Sequence, residues 1–101
     1  MSEENPIDWE PYLEELSLAL AACNDPVLIR EFLPSILTPS ELQEVASRWA
    51  LVRQIDEGIS QRQISKNLGL SLCKITRGSK QLKQEFSAFQ AMIDIYKKKK
   101  S

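Results

Sequence analysis

The chain has 101 residues, 43% of them apolar, and a formal net charge of only −1. That length fits one domain with a thin core. A domain of this size buries about 60 to 65% of the surface that its unfolded chain exposes, and dimerisation would stabilise it further. No apolar run is long enough to span a membrane, and no basic or apolar leader opens the sequence, so we expect a cytoplasmic protein. The two cysteines lie far apart and histidine is absent, which fits reduced thiols and predicts no metal site.

Charge is divided unevenly along the chain. Residues 1–57 carry twelve acids and three bases, whereas residues 58–101 carry ten bases and two acids. The 26 residues from Gly58 to Lys83 contain six Lys or Arg and no acid. Because phosphate repels acids, we expect the basic half to face a polyanion. Without histidine, paired carboxylates or a nucleotide loop, the chain is not expected to be an enzyme.

Two helices are predicted before residue 37. Apolar residues at helical spacing indicate a first helix from Asp8 to about Cys23. A second begins with Asp25 as N-cap and Pro26 at the first helical position, where its missing N–H is not needed. It runs toward Ile36, and Pro34 is expected to break or kink it.

A long third helix follows the segment Thr38-Pro39-Ser40-Glu41, which has the pattern of a capping box. Its apolar stripe keeps helical spacing over about five turns, with Gly58 as a left-handed C-cap. Leu51 lies off the stripe, so burial on two sides is possible. The stripe consists of Leu42, Val45, Ala46, Trp49, Val52 and Ile55.

The acid-free segment has the spacing of a helix-turn-helix. Ser60 with Gln63 forms a second capping box, Gly69 ends a short helix, and Ser71 caps the next one. An apolar face is formed by Ile64, Leu68, Leu70 and Ile75. The residues left outside to meet a major groove include Arg62, Ser65, Lys74, Thr76 and Ser79.

A final amphipathic helix is predicted over residues 84–96, followed by a basic tail at 97–101. Its apolar residues are Phe86, Phe89, Met92, Ile93 and Tyr96. We interpret the tail as a terminus that increases solubility, and the alternative is that its lysines make additional contacts with DNA phosphates. Nothing predicts a strand, so the fold class is all-α with about six helices in a single domain, 1–101.

Gly78 interrupts the second helix of the motif, within Ile75-Thr76-Arg77-Gly78-Ser79. A helical glycine costs about 1 kcal/mol relative to alanine, and we expect it to leave a gap beneath this helix; a frayed helix end is the simpler alternative. Together with LTPSE, Arg48 and SQRQISKNLG, the run ITRGS resembles the tryptophan repressor family from Leu37 to Lys83. The resemblance implies an intertwined homodimer that binds L-tryptophan as corepressor and represses genes of tryptophan biosynthesis or uptake.

The resemblance also implies a ligand site. Arg48 and Arg77 would stack on the two faces of the indole, and Gly78 would leave room for it. Two further residues would come from the second subunit, Leu37 and Thr38. Gln81 stands where the family commonly has a serine that meets the ligand's amino group, and Trp49 is bulkier than the usual aliphatic residue. Taken alone, Arg48 is more simply a surface ion-pair partner of Glu44.

On DNA the resemblance implies a palindromic operator and residues 1–58 as a helical dimerisation body, with the helix-turn-helix at 60–83. The DNA-facing residues would be Gln61, Arg62, Ser65, Leu72, Cys73, Lys74, Thr76, Ser79 and Lys83. Two alternatives stay open. One is a helix-turn-helix regulator independent of tryptophan or using another ligand, which Gln81 and Ser35 favour. The other is a helical protein-interaction module with an acidic partner.

Overall fold

A computed structural model describes residues 7–84 and 87–100, and its chain divides into two compact units, Met1–Pro39 and Ser40–Ser101. The described residues form six α-helices and no strand, which confirms the all-α prediction. None of these helices is long and apolar enough to cross a membrane. Phe86 lies outside the described residues, and the single-domain organisation stays a prediction. The helices are α1 (Glu10–Ala22), α2 (Pro26–Ile36), α3 (Pro39–Asp56), α4 (Gln61–Leu68), α5 (Leu72–Lys83) and α6 (Ala88–Lys100).

The start of α2 is set by its predicted cap. The Asp25 carboxylate accepts hydrogen bonds from the N–H groups of Val27 (3.0 Å) and Leu28 (3.4 Å). Of the two predicted effects of Pro34, the break was wrong, because the helix continues through it to Ile36, and the kink stays a prediction. Pro34 removes one N–H in the last turn, but the helix still closes with a 2.9 Å bond from the Leu37 N–H to the Leu33 carbonyl.

Neither α1 nor α2 has a buried residue within the single chain. Apolar side chains of the first unit stay largely exposed, among them Trp9 (60%), Leu18 (64%) and Val27 (64%). Many large exposed apolar side chains in one small unit are costly in water and are typical of an interaction face. It agrees with the expected homodimer, which stays a prediction.

The long helix α3 ends at Asp56, and Gly58 just beyond it has the predicted left-handed conformation, with a φ of +82°. The Gly58 N–H bonds to the Ile55 carbonyl at 3.0 Å and the Ile59 N–H to the Gln54 carbonyl at 3.1 Å, the pair of bonds of a Schellman motif. The predicted stripe is confirmed in the second half of α3, where Val52 is buried and Trp49 and Ile55 pack against the core, but not at Val45 and Ala46, which are exposed. Leu51 and Val52 are its buried residues, whereas Val45 is 52% exposed.

Helices α4 and α5 are separated by a short turn at Gly69 and begin at the predicted caps, whereas the helix-turn-helix motif itself stays a prediction. The Ser60 hydroxyl accepts from the Gln63 N–H (3.2 Å) and the Ser71 hydroxyl from the Lys74 N–H (3.3 Å). The Gln63 side-chain nitrogen donates to the Asn67 side-chain oxygen at 2.7 Å, and the reciprocal bond from the Ser60 N–H to Gln63 stays a prediction. Asn67 in turn donates to the Gln54 side chain at 3.1 Å, which ties α4 to α3.

The core of the second unit joins all four of its helices. Ile64 of α4, Ile75 of α5 and Ile93 of α6 are fully buried, and they cluster with Leu51 and Val52 of α3. Each buried aliphatic side chain of this kind contributes about 1.5 to 3 kcal/mol relative to an exposed one. The burial of at least one residue from each of the four helices therefore stabilises their packing.

The last helix begins later and ends later than predicted. Ser87 precedes it and accepts a bond from the Gln90 N–H at 3.1 Å. The predicted basic tail was wrong in extent, because α6 continues through Lys97 to Lys100. Lysine is a good helix former, and positive charge in the last turn interacts favourably with the carbonyl end of the helix dipole.

Candidate functional site

A groove of about 720 Å³ lies in the second unit. Most of its walls come from α3 and α5, a size and setting suited to a small organic molecule. Four predicted ligand residues, Arg48, Arg77, Gly78 and Gln81, line it together. The complete lining is Ser40, Gln43, Glu44, Ser47, Arg48, Leu51, Val52, Leu70, Lys74, Arg77, Gly78, Gln81 and Phe89.

The other two predicted ligand residues are placed in the first unit. Leu37 is half-buried at the end of α2 and Thr38 is exposed just before α3. Every lining residue of the groove belongs to the second unit. A contribution of Leu37 and Thr38 from a second subunit therefore stays a prediction.

The groove has a positive rim. Arg48 on α3, and Lys74 and Arg77 on α5, provide three cations, against one carboxylate from Glu44. Arg48 Nη2 lies 3.9 Å from Glu44 Oε2, and their side chains are 68% and 60% exposed. The ion pair expected from i,i+4 spacing is thus present, but an exposed pair at this distance is worth about 0 to 1 kcal/mol. It holds Arg48 too weakly to prevent it from turning toward a ligand.

Gly78 does not leave the predicted gap above α3. The residue is buried, and a Cβ built on it would lie 3.0 Å from Leu51 Cδ2, 3.3 Å from Leu51 Cγ and 3.4 Å from Ile55 Cδ1. The expectation of empty space at this point was wrong, because Leu51 and Ile55 fill it. Glycine instead leaves room for the Leu51 side chain against the backbone of α5, and the open groove lies beside this contact.

Several groove residues were missed by the sequence reasoning. Lys74 was assigned to DNA alone, yet it also lines the groove, and Phe89 was assigned to packing of the last helix. Glu44 was foreseen only as an ion-pair partner. For Lys74 the helical spacing from Gly78 was an available signal, whereas Phe89 reaches the groove through packing between helices distant in the sequence.

A second polar cluster joins α6 to the end of α3. Asp56 accepts hydrogen bonds from Lys97 Nζ (2.9 Å) and Gln90 Nε2 (3.1 Å). The hydrogen bond from Lys97, followed by that from Gln90, lowers the pKa of Asp56, and the same bond raises the pKa of Lys97. The cluster anchors α6, the helix that supplies Phe89.

Most predicted DNA-facing residues lie on the surface of α4 and α5. The exposed ones are Gln61, Arg62, Leu72, Cys73, Lys74, Thr76 and Lys83. Ser79 is half-buried. The Thr76 hydroxyl donates to the Leu72 carbonyl at 2.9 Å, and the half-buried Ser65 donates to the Leu70 carbonyl at 2.7 Å. The Ser65 hydroxyl therefore stabilises the turn, which makes it the weakest of the DNA candidates.

The sequence profile of the family described as Trp repressor protein matches residues 12–97. The chain belongs to this family. Trp repressors are transcriptional regulators rather than enzymes. A protein of Actinobacillus succinogenes called "Trp operon repressor homolog" is 36% identical over 86 residues, which cover 84% of this chain and 81% of the relative.

Other relatives carry the same description. One of Vibrio vulnificus is 46% identical over 63 residues, 61% of this chain and 62% of its own length. One of Haemophilus influenzae is 37% identical over 76 residues, 74% and 71% of the two chains. There is no significant match among solved structures.

Proposed function

We propose that this Trp repressor family member is a DNA-binding transcriptional repressor that L-tryptophan activates as corepressor, controlling genes of tryptophan biosynthesis or uptake. The protein acts as a homodimer on a palindromic operator in the cytoplasm, with no metal. Support comes from the family, from the relatives' descriptions as Trp operon repressor homologs, and from the groove.

The observation that carries the proposal is the placement of Arg48 and Arg77. They line one groove from two different helices, α3 of the body and α5 of the helix-turn-helix. An indole held between two guanidinium planes gains cation–π contact on both faces, provided that the two helices are correctly spaced. Binding therefore favours one orientation of α5 over others, which is the differential affinity that a population shift requires.

A ligand amino acid also fits the charges of the rim. Lys74 and Arg77 can pair with its carboxylate, and Glu44 with its ammonium group. The buried aliphatic side chains of Leu51 and Val52 offer apolar surface below the rim. A ligand with one apolar ring and a zwitterionic end is thus complementary to the groove.

The DNA-binding part of the proposal depends on α4, the turn and α5. Their exposed surface carries Arg62, Lys74 and Lys83, and no acid occurs between residues 58 and 83. Long basic side chains contact mainly phosphate, and they make affinity depend steeply on salt. In a dimer the two α5 helices would enter successive major grooves about 34 Å apart.

The test is operator selection from a random duplex pool with and without L-tryptophan, followed by affinity measurement at one fixed salt concentration. We expect tryptophan to tighten binding at least about tenfold, or about 1.4 kcal/mol. Equal affinities in the two conditions would refute corepression by tryptophan. Arg77→Lys keeps the charge but removes the planar guanidinium, so it should lose the response. Lys80→Arg, an exposed change on the same helix outside the groove, is the matched control.

A regulator that does not use tryptophan is the second candidate, and Gln81 favours it. Gln81 lines the groove with a longer, amide-bearing side chain where the family commonly has a serine. The Ser35 hydroxyl, by contrast, bonds to the Phe32 carbonyl of its own helix at 2.6 Å and favours no ligand. Calorimetry separates the candidates, because DNA binding without heat from millimolar L-tryptophan would leave only the second. Salt-independent, weak binding to all duplexes would instead favour a protein-interaction module.

A further inference from the structure

Phe89 is the one aromatic side chain among the groove residues that the structure describes. It comes from α6, which contributes no other residue to the groove. The rest of the lining is charged, polar, aliphatic or glycine. Phe89 is half-buried, so part of its ring remains available to a molecule in the groove.

The ring of Phe89 packs against another aromatic side chain, Trp49. Its centroid lies 6.0 Å from that of Trp49, with an angle of 24° between the planes, an offset-stacked arrangement. Trp49 also meets Tyr96 edge to face at 6.3 Å and 82°. The Arg53 guanidinium lies 4.9 Å from the Tyr96 centroid. Three rings and a cation thus join α3 to α6, and of these side chains only Phe89 lines the groove.

Anchoring of α6 further limits the movement of Phe89. The neighbouring Gln90 donates to Asp56 at 3.1 Å, and Lys97, two turns later, donates to the same carboxylate at 2.9 Å. A side chain supported by packing and by hydrogen bonds of its own helix is pre-organised for binding. Little ordering free energy is then lost when a ligand contacts it.

We propose that Phe89, positioned by Trp49, is a specificity-determining residue that makes the groove prefer a ligand with a planar aromatic ring over an aliphatic one. The inference rests on the proposed function, because it assigns the aromatic selectivity of the same site. The guanidiniums of Arg48 and Arg77 attract any polarisable ring or anion. Phe89 adds an edge-to-face or offset-stacked contact, which forms only with a ligand that itself has an aromatic ring.

The experiment compares Phe89→Leu with Tyr96→Leu in the full-length protein. Both variants remove one ring partner of Trp49, but only Phe89 lines the groove. Calorimetry measures L-tryptophan affinity, and competition by L-leucine measures selectivity. We expect Phe89→Leu to weaken L-tryptophan binding roughly three- to tenfold and to lower the tryptophan-to-leucine preference by the same factor. Tyr96→Leu should keep the wild-type preference, and Phe89→Tyr, which retains the ring, should keep both quantities.

The results that would overturn the inference differ from those that would overturn the proposed function. Equal losses in Phe89→Leu and Tyr96→Leu would mean that loosening of α6 is responsible, and would overturn the inference. An unchanged preference in Phe89→Leu, together with loss of binding in Arg77→Lys, would overturn the inference while the proposed function stands. Absence of L-tryptophan binding by the wild-type protein would overturn both. If Phe89→Leu does not fold, failure of Phe89→Tyr to retain the wild-type preference overturns the inference.

Discussion

The contact between Gly78 and Leu51 sets two effects of opposite sign against each other, and the substitution Gly78→Ala measures their balance. Alanine favours the helix by about 1 kcal/mol over glycine. The new methyl group, however, would lie 3.0 Å from Leu51 Cδ2 and 3.3 Å from Leu51 Cγ. Leu51 is only 4% exposed and packs in the core, so it can yield only toward the groove that it lines. Overpacking of a core costs about 1 to 3 kcal/mol, so we expect a net loss of about 1 kcal/mol.

The sign should reverse when Leu51 is shortened. Leu51→Ala removes both close atoms, so Gly78→Ala in that background should stabilise the protein by its helix propensity, about 1 kcal/mol. Leu51→Ala itself should cost about 2 to 5 kcal/mol, within the stability of an ordinary domain. The cycle thus predicts a coupling free energy of about 1 to 3 kcal/mol between the two positions.

Urea unfolding followed by circular dichroism measures all four proteins, at one protein concentration because a dimer's stability depends on it. Lys80→Ala, exposed on the same helix, serves as the control and should be additive with Leu51→Ala. If Gly78→Ala stabilises the wild-type protein as much as it stabilises the Leu51→Ala protein, then room for the Leu51 side chain is not what glycine provides.

Three other substitutions test separate parts of the structure. Gly58→Ala should lower the free energy of unfolding in urea by about 1 kcal/mol, because a φ of +82° is unfavourable for a residue with a Cβ. The cause is not a clash, since no atom lies within 4 Å of an added Cβ. Gly58→Asn should lower it less, because asparagine tolerates this conformation better. The lowered pKa of Asp56 means that its pairing with Lys97 stabilises the fold above the unfolded pKa and is lost as pH falls through the folded value. Lys97→Gln should therefore reduce stability at pH 7 but not at low pH, whereas Lys99→Gln, of equal charge change, should show no such difference; a pH-independent loss would contradict the pairing. Lys83→Ala should weaken binding to all duplexes and reduce the salt slope by about one, and a change confined to one operator position would argue for a base contact instead.

The amino-acid sequence by itself determined where most helices begin and end. Asp25, Ser60 and Ser71 cap helices as predicted, and Gly58 and Gly69 take up left-handed conformations. Each of these features depends on hydrogen bonds within a few residues and on the conformational freedom of one residue. Local chemistry of that kind can be read without knowledge of the fold.

Four of the predicted ligand residues were also brought together as the motif implied, because Arg77, Gly78 and Gln81 lie on one short helix. Arg48 joins them only through the packing of α5 on α3. Its alternative role, the pair with Glu44, followed from helical spacing and is present as well. The four residues could thus be predicted from the sequence, but their proximity in one groove depends on how the helices pack.

Tertiary structure alone decided which faces are buried and which distant residues meet. Val45 of the predicted stripe stays outside the core, Phe89 reaches the groove, and Lys97 pairs with Asp56 across 41 positions. Helical periodicity predicts a stripe of apolar residues on one face of a helix. Which of these residues are buried depends on where the neighbouring helices pack against it. Such contacts join residues far apart in the chain, so their free energy depends on the packing of whole helices, and no local pattern records it.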